Sequence, residues 1–283
     1  MLEKKKIGVI GAGIMGKGIA LVFAEQGYNV LLSDLNNSKT QKAFQEMSAT
    51  LEKDLQKGRI SSKDKERALK NIVISKSISD FSNCDLVIEA IVEKQKDKQS
   101  LLKKLDQICD ARTILATNTS TILISQLAKS LKRKDKFIGI HFINPARIMK
   151  LVEITPGPKT SLETARISEE IIKEIKKDPI ISQDSPGFVL NRILFPIINQ
   201  AAYCLQTKVA GKEEIDKALK LGANFPMGPL ELADLIGIDT CLLILQELDK
   251  KLPNNGYKPC PIFKKMVKAK ELGRKTKKGF YQY

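Results

Sequence analysis

Along the first two-thirds of the chain, short apolar runs alternate with longer stretches whose apolar positions recur at helical spacing. KKIGVIG, NVLLSD, NIVIS, LVIEAI, TILATNTS, KFIGIHF, KLVEIT and PIISQ read as strands, and several are apolar at consecutive positions. A strand wet on one side alternates, whereas a run apolar throughout belongs to a sheet covered on both faces. Between the strands, IMGKGIALVFAEQG and KTQKAFQEMSATLEKDLQK carry helical patterns. The alternation predicts βαβ units and a mainly parallel, twisted sheet with helices on both sides.

Near Asp184 the pattern changes. DSPGF supplies a turn, and the remaining hundred or so residues are helical in character. VLNRILFPIINQAAYCLQ is long and apolar, KEEIDKALKLG is amphipathic with Gly222 placed as a C-cap, and DTCLLILQELDKKL comes next. Only GFYQY, at the end, has strand character there. The expected fold is therefore α/β. A Rossmann-type, mainly parallel sheet domain covers residues 1–184, and a smaller all-helical domain covers 185–283. The helix beginning at Val189 carries more apolar surface than so short a domain can bury. A homodimer interface through the helical domain is expected from it, with burial between domains as the alternative.

The composition narrows the class of protein. With 42% hydrophobic and 28% charged residues, the 283-residue chain is of ordinary globular make-up, which excludes whole-chain disorder and fibrous repeats. Lys and Arg number 48 against 32 Asp and Glu, a formal charge of +16 that favours anionic ligands. In KSLKRKDK and KEEIDKALK the lysines are interspersed with acids, and no nucleic-acid-binding motif occurs, so no nucleic acid partner is expected. No apolar run reaches the roughly 20 residues of a membrane span. The opening MLEKKKIGVIGAGIMG passes straight into a strand and a glycine loop where a signal peptide would be apolar. A cytoplasmic location without membrane association is expected. Cys84, Cys109, Cys204, Cys241 and Cys260 are odd in number and widely spaced, which suits reduced apolar residues and gives no disulfide or metal framework.

Gly11-Ala12-Gly13-Ile14-Met15-Gly16 succeeds the first strand and opens a helix. In that context Gly11 makes a tight turn, Gly13 lets the backbone approach a pyrophosphate and Gly16 lets helix and strand pack closely. The first N–H groups of the helix then face the phosphates. Asp34 ends the second strand, eighteen residues after Gly16, where a carboxylate accepts hydrogen bonds from the ribose hydroxyls of the adenosine and repels a 2′-phosphate. NAD is favoured over NADP, while Lys39 and its neighbours keep NADP open.

His141 is the sole histidine and ends KFIGIHF, on the side of the sheet where open α/β folds bind ligands. Asn118-Thr119-Ser120 ends another strand on the same rim. Glu153, twelve residues after His141, lies among apolar neighbours and needs a partner there. Pairing with the imidazole would fix its tautomer and suit it to acid–base work. A structural histidine and a solvated edge-strand glutamate are the alternatives.

IGVIGAGIMGKGIA, VIEAIVE, ATNTSTI, GIHFINPARIMKLVEI, DSPGFVLNRIL and PMGPLELADLIGIDT resemble, in this order and over nearly the whole chain, the L-3-hydroxyacyl-CoA dehydrogenase family. The likeness is strongest to its bacterial 3-hydroxybutyryl-CoA branch. It implies NAD-dependent interconversion of (S)-3-hydroxybutyryl-CoA and acetoacetyl-CoA, in fatty-acid or butyrate metabolism. It also implies catalysis by His141 with Glu153, and contacts from Ser120 and Asn191 to substrate near the reacting oxygen. The implied cofactor contacts are Gly11 to Gly16, Asp34, Glu93, Lys98, Ser120, Asn144 and Lys275. Taken alone, Glu93 and Lys98 would be a helical i,i+5 pair of little meaning. Lys53 and Lys57 form a candidate patch for the phosphates of CoA.

The sequence departs from the family pattern at three places. Thr121 replaces a second serine, Lys277 stands where a glycine is usual, and Gln200 where an acid is common. A β-hydroxyacid dehydrogenase would need a catalytic lysine where PGFVLNRIL has none. A non-catalytic dinucleotide-binding protein of the same fold would not need Ser120, His141, Glu153 and Asn191 together.

Overall fold

Each of the eight apolar runs becomes a strand of a single sheet in a computed structural model that describes residues 5–34, 36–253 and 256–283. The chain divides into two units, Met1–Ser185 and Pro186–Tyr283. In the first, β1 (Lys6–Ile10), β2 (Asn29–Ser33), β3 (Ile72–Ile74), β4 (Leu86–Glu89), β5 (Ile114–Thr117) and β6 (Phe137–Phe142) pair in parallel in the order β3-β2-β1-β4-β5-β6. That is the doubly wound order, with its crevice beyond the carboxyl ends of the strands. β7 (Leu151–Pro156) then turns back antiparallel to β6, and β8 (Asp178–Ile181) pairs parallel to β7.

Helices α1 (Ile14–Glu25), α2 (Asn37–Gln56), α3 (Ser62–Lys70), α4 (Gln95–Ile108), α5 (Ile124–Ala128) and α6 (Leu162–Glu174) connect the strands. Ile19, Phe23, Met47 and Leu51 from α1 and α2 share one buried cluster with Ile7, Val9, Val30, Leu32 and Ile88 of the sheet. This is why β1, β2 and β4 read as unbroken apolar runs. Asn36 caps α2 by accepting the Ser38 N–H at 3.0 Å, Ser61 and Asp64 form a capping box on α3, and Ser161 caps α6. α1 has no side-chain cap and no acid in its first turn. Its orphan N–H groups are left for something else.

The second unit holds α7 (Leu190–Gln206), α8 (Lys212–Gly222), α9 (Pro229–Ile236), α10 (Ile238–Lys251) and α11 (Pro261–Lys268) around Phe195, Ile198, Leu230, Ile238, Leu245 and Phe263. Two expectations are corrected here. GFYQY is not a strand: only the isolated bridges Gly273↔Lys278 and Lys278↔Gln282 form. Side chains take over the role of a ladder, since buried Asp234 accepts the N–H groups of Phe280 and Tyr281 at 2.9 and 2.8 Å. Gly222 is the last residue of α8, and the left-handed residue is Asn224 at φ 55°. Asparagine tolerates that conformation better than most residues, which lets it make the turn expected of the glycine.

Lys277 is also left-handed, at φ 59°, so the lysine keeps the backbone conformation that glycine adopts without cost. Asp234→Ala would orphan two backbone N–H groups and is expected to cost the second unit about 2–4 kcal/mol. The shift of its unfolding midpoint in urea measures this, and an unchanged midpoint would remove the tail-anchoring role.

Candidate active site

The glycine loop is shaped by contacts that leave no room for side chains. Gly11 has φ 115°, and a Cβ there would meet the Ala90 carbonyl oxygen at 2.4 Å. One on Gly16 would lie 1.6 Å from the Gly11 oxygen. Gly13 differs, because its Cβ would meet nothing within 4 Å. Glycine at 13 therefore serves no packing need and keeps open the space above the uncapped end of α1. An anionic diphosphate fits that combination.

Asp34, just past β2, accepts the Ala12 N–H at 2.8 Å and the Asn36 N–H at 3.2 Å. Its carboxylate thus positions the loop as well as facing the crevice. Gly11, Ala12, Gly13, Asp34, Asn36 and Lys39 line one cavity of about 430 Å³. Ile14 and Asn144 line a neighbouring one of about 290 Å³, while Met15 is half-buried and Gly16 buried.

At the ends of β4 and β5 stands a network that sequence reasoning caught only in part. The i,i+5 helical reading of Glu93 and Lys98 is wrong, because Glu93 precedes α4 while Lys98 lies on it. The two form an ion pair at 3.2 Å. Glu93 Oε1 also accepts the Thr119 hydroxyl and the N–H groups of Ser120 and Thr121, so it clasps the whole turn after β5. Burial works to raise the Glu93 carboxyl, yet Lys98 and these donors hold it below the ordinary range. The Thr121 hydroxyl joins the clasp at 3.3 Å, so threonine here supplies what a serine would.

Lys98 is fully buried and bonds Glu89 at 2.7 Å. Glu89, the last residue of β4, takes the Thr117 hydroxyl on its other oxygen and the Ile91 N–H on the first. Burial pushes its carboxyl up, and the three donors act in the opposite sense. Glu89 was not foreseen. An acid closing an all-apolar strand was the available signal.

His141 and Glu153 face each other across the antiparallel β6–β7 pair, with Nδ1 2.8 Å from Oε2. Glu153 is completely buried and His141 nearly so. A buried carboxylate against Nδ1 selects the tautomer protonated there, which makes Nε2 the nitrogen for a ligand. Asn118 accepts the Phe142 N–H at 2.8 Å and binds the turn after β5 to the end of β6. Two further anchors also escaped sequence reasoning. Asp184 accepts the Ile124 and Ser125 N–H groups at 2.7 and 2.8 Å, capping α5. Arg147 joins the β6–β7 connection to Glu25 of α1 and Asp54 of α2.

Lys53 and Lys57 are exposed at the far end of α2, Lys53 about 24 Å along the helix from its first residue. Asn191 is buried in the first turn of α7, and Lys275 pairs with Asp239; both lie in the second unit. Gln200 is exposed on α7. The four buried cysteines include Cys84 and Cys109, whose thiols burial pushes up to about 12 and about 11, which makes them poor nucleophiles.

The family description "3-hydroxyacyl-CoA dehydrogenase, NAD binding domain" matches residues 6–185, and "3-hydroxyacyl-CoA dehydrogenase, C-terminal domain" matches residues 187–283. The 3-hydroxybutyryl-CoA dehydrogenase of Bradyrhizobium diazoefficiens is 44% identical over 279 residues, covering 99% of this chain and 95% of that protein. The human mitochondrial hydroxyacyl-coenzyme A dehydrogenase is 39% identical, covering 99% and 91%. The crystal structure of (S)-3-hydroxybutyryl-CoA dehydrogenase from Ralstonia eutropha superposes with a TM-score of 0.94 at 42% identity, covering 99% of both chains. A glycine loop over a doubly wound sheet, two domain matches in order and relatives above 40% identical along its length lead to one conclusion: the chain belongs to the 3-hydroxyacyl-CoA dehydrogenase family and is an oxidoreductase with an NAD-binding domain.

Proposed function

We propose that the chain interconverts (S)-3-hydroxybutyryl-CoA, or a similarly short acyl-CoA, and acetoacetyl-CoA with NAD as the hydride carrier. The observation that carries this reading is the buried His141–Glu153 pair, held in register by two strands at the carboxyl end of β6, on the same rim of the sheet as the glycine loop after β1. The substrate class is supported by the names of the relatives.

When bound, the nicotinamide supplies the acceptor for hydride from C3 in oxidation and its donor in reduction. In oxidation His141 Nε2 takes the hydroxyl proton, and in reduction it returns it. Glu153 keeps Nδ1 protonated and stabilises the imidazolium that results. Ser120, on the turn clasped by Glu93, and Asn191 hold the reacting oxygen. Glu93, Lys98, Asn144 and Lys275 are assigned to the cofactor and Lys53 and Lys57 to the phosphates of CoA. Exposed Ile193 on α7 and Leu243 on α10 support a homodimer through the second unit. A cytoplasmic location completes the reading; among the described residues no helix is long and apolar enough to cross a membrane.

Initial rates with acetoacetyl-CoA, measured separately with NADH and NADPH, test the proposal. Turnover with NADH well above that with NADPH is expected. Asp34→Asn retains an acceptor for the Ala12 N–H but removes the charge facing a 2′-phosphate. It should narrow the NADH-over-NADPH ratio of kcat/KM by about tenfold or more, since like charges brought together cost several kcal/mol. A ratio equal to that of the wild type would end the case for Asp34 as the discriminating residue.

A further inference from the structure

Asp34 after β2 and the glycine loop after β1 mark the adenosine and diphosphate end of the crevice, and His141 on β6 marks the reacting end. Strands about 4.8 Å apart put β6 roughly 14 Å from β1, with β4 and β5 between them. On the cofactor reading above, on which this inference rests, the nicotinamide ring must lie over the ends of β4 and β5 to reach a carbon beside His141. The residues that close those two strands are Glu89 and Thr117, joined to each other at 2.7 Å.

The charges at this point do not balance. Lys98 contributes one ammonium, shared by Glu89 at 2.7 Å and Glu93 at 3.2 Å. Every other donor on the two carboxylates is a hydroxyl or a backbone N–H, which carries no net charge. Two N–H donors converge on one oxygen of Glu89 and a hydroxyl on the other, an arrangement built for the ionised acid. The side chains of Glu89 and Lys98 are at most 1% exposed, so water screens their field weakly, whereas that of Glu93 is 30% exposed and is screened in part. Lys94 and Lys96 at the start of α4 are exposed and therefore screened.

We propose that Glu89 and Glu93, sharing the ammonium of Lys98, leave one uncompensated negative charge beneath the nicotinamide, and that this charge favours the oxidised, cationic ring over the reduced, neutral one. Glu89 acts through Lys98. By neutralising the lysine it leaves the charge of Glu93 unspent, which makes Glu89 a positioning residue and not a catalytic one. The cluster sets the balance between the two cofactor forms, and so the direction in which the bound enzyme is poised.

The test is the ratio of two dissociation constants, for NADH by fluorescence titration and for NAD⁺ by calorimetry, on the full chain. Glu89→Gln, nearly isosteric, should reduce the preference for NAD⁺ relative to NADH on the order of three- to thirtyfold, as expected of one unit charge about 8–10 Å away at an intermediate dielectric. Glu93→Gln should move the ratio in the same direction and carries the test if the first variant does not fold. Thr117→Val removes a hydrogen bond but no charge, and should change both constants alike or neither. Parallel shifts of the two constants in both glutamine variants would overturn the inference and leave the cofactor reading intact. Wild-type protein that binds neither form would overturn both.

Discussion

Turnover of acetoacetyl-CoA should fall about 10²–10⁴-fold in His141→Gln, the range that a positioned acid–base group contributes, with the dissociation constant for NADH nearly unchanged. Glutamine is chosen because Glu153 is fully buried. Removing the imidazole altogether would take the Nδ1–Oε2 bond from a buried carboxylate and confound chemistry with unfolding, whereas an amide N–H can still donate to it. The split between rate and binding reflects where the pair sits. His141 is on β6, three strands from β1, so the glycine loop and Asp34 are untouched. Pre-steady-state kinetics with saturating NADH would isolate the chemical step. A variant within tenfold of the wild-type rate would remove His141 as the proton-transfer group.

The second large effect separates two glycines three residues apart. Gly13→Val should fold with a wild-type melting temperature yet bind NAD(H) about tenfold to a hundredfold more weakly, the loss expected when one or two charge-assisted hydrogen bonds to phosphate are blocked. The side chain enters space that this protein leaves empty, so only a ligand can object to it. Gly16→Val collides with the Gly11 carbonyl and should lower the melting temperature in the absence of any cofactor. Thermal denaturation with and without NADH distinguishes the two. A destabilised apo Gly13→Val would mean that the open space above α1 is not there for a ligand.

The central strands β1, β2 and β4 were legible because both faces of the sheet are covered there, which turns each into a nearly unbroken apolar word, whereas the outer β3 and β8 leave Val73 and Ile181 exposed. The antiparallel turn of β7 was not drawn from the sequence, although the spacing contains it. Residues 143–150 are too few for the crossover that a parallel neighbour requires. His141 and Glu153 could be named because each is chemically conspicuous, a lone imidazole and an acid among aliphatic residues. Glu89, Asp184 and Arg147 could not, since nearly all their partners lie 9 to 122 positions away and only folding brings them together. Glu93 entered through family likeness with no physical account. Its clasp on Thr119, Ser120 and Thr121 supplies one. The helical half was harder to parse at its ends, where Asn224 and not Gly222 took the left-handed turn and Asp234 replaced a ladder for the tail.

The hydrogen-bond register that sets His141 opposite Glu153 runs through five paired positions, from Ile138↔Pro156 to Phe142↔Val152. Residues 143–150 could therefore be lengthened, shortened or exchanged, reshaping the surface beside Asn144, without altering the pairing of His141 with Glu153. A single-residue insertion within either strand would instead turn one of the two side chains to the opposite face of the sheet. Tolerance to insertion should thus change abruptly at Phe142 and Leu151, so that the connection is free to diversify while the register of the two strands is not.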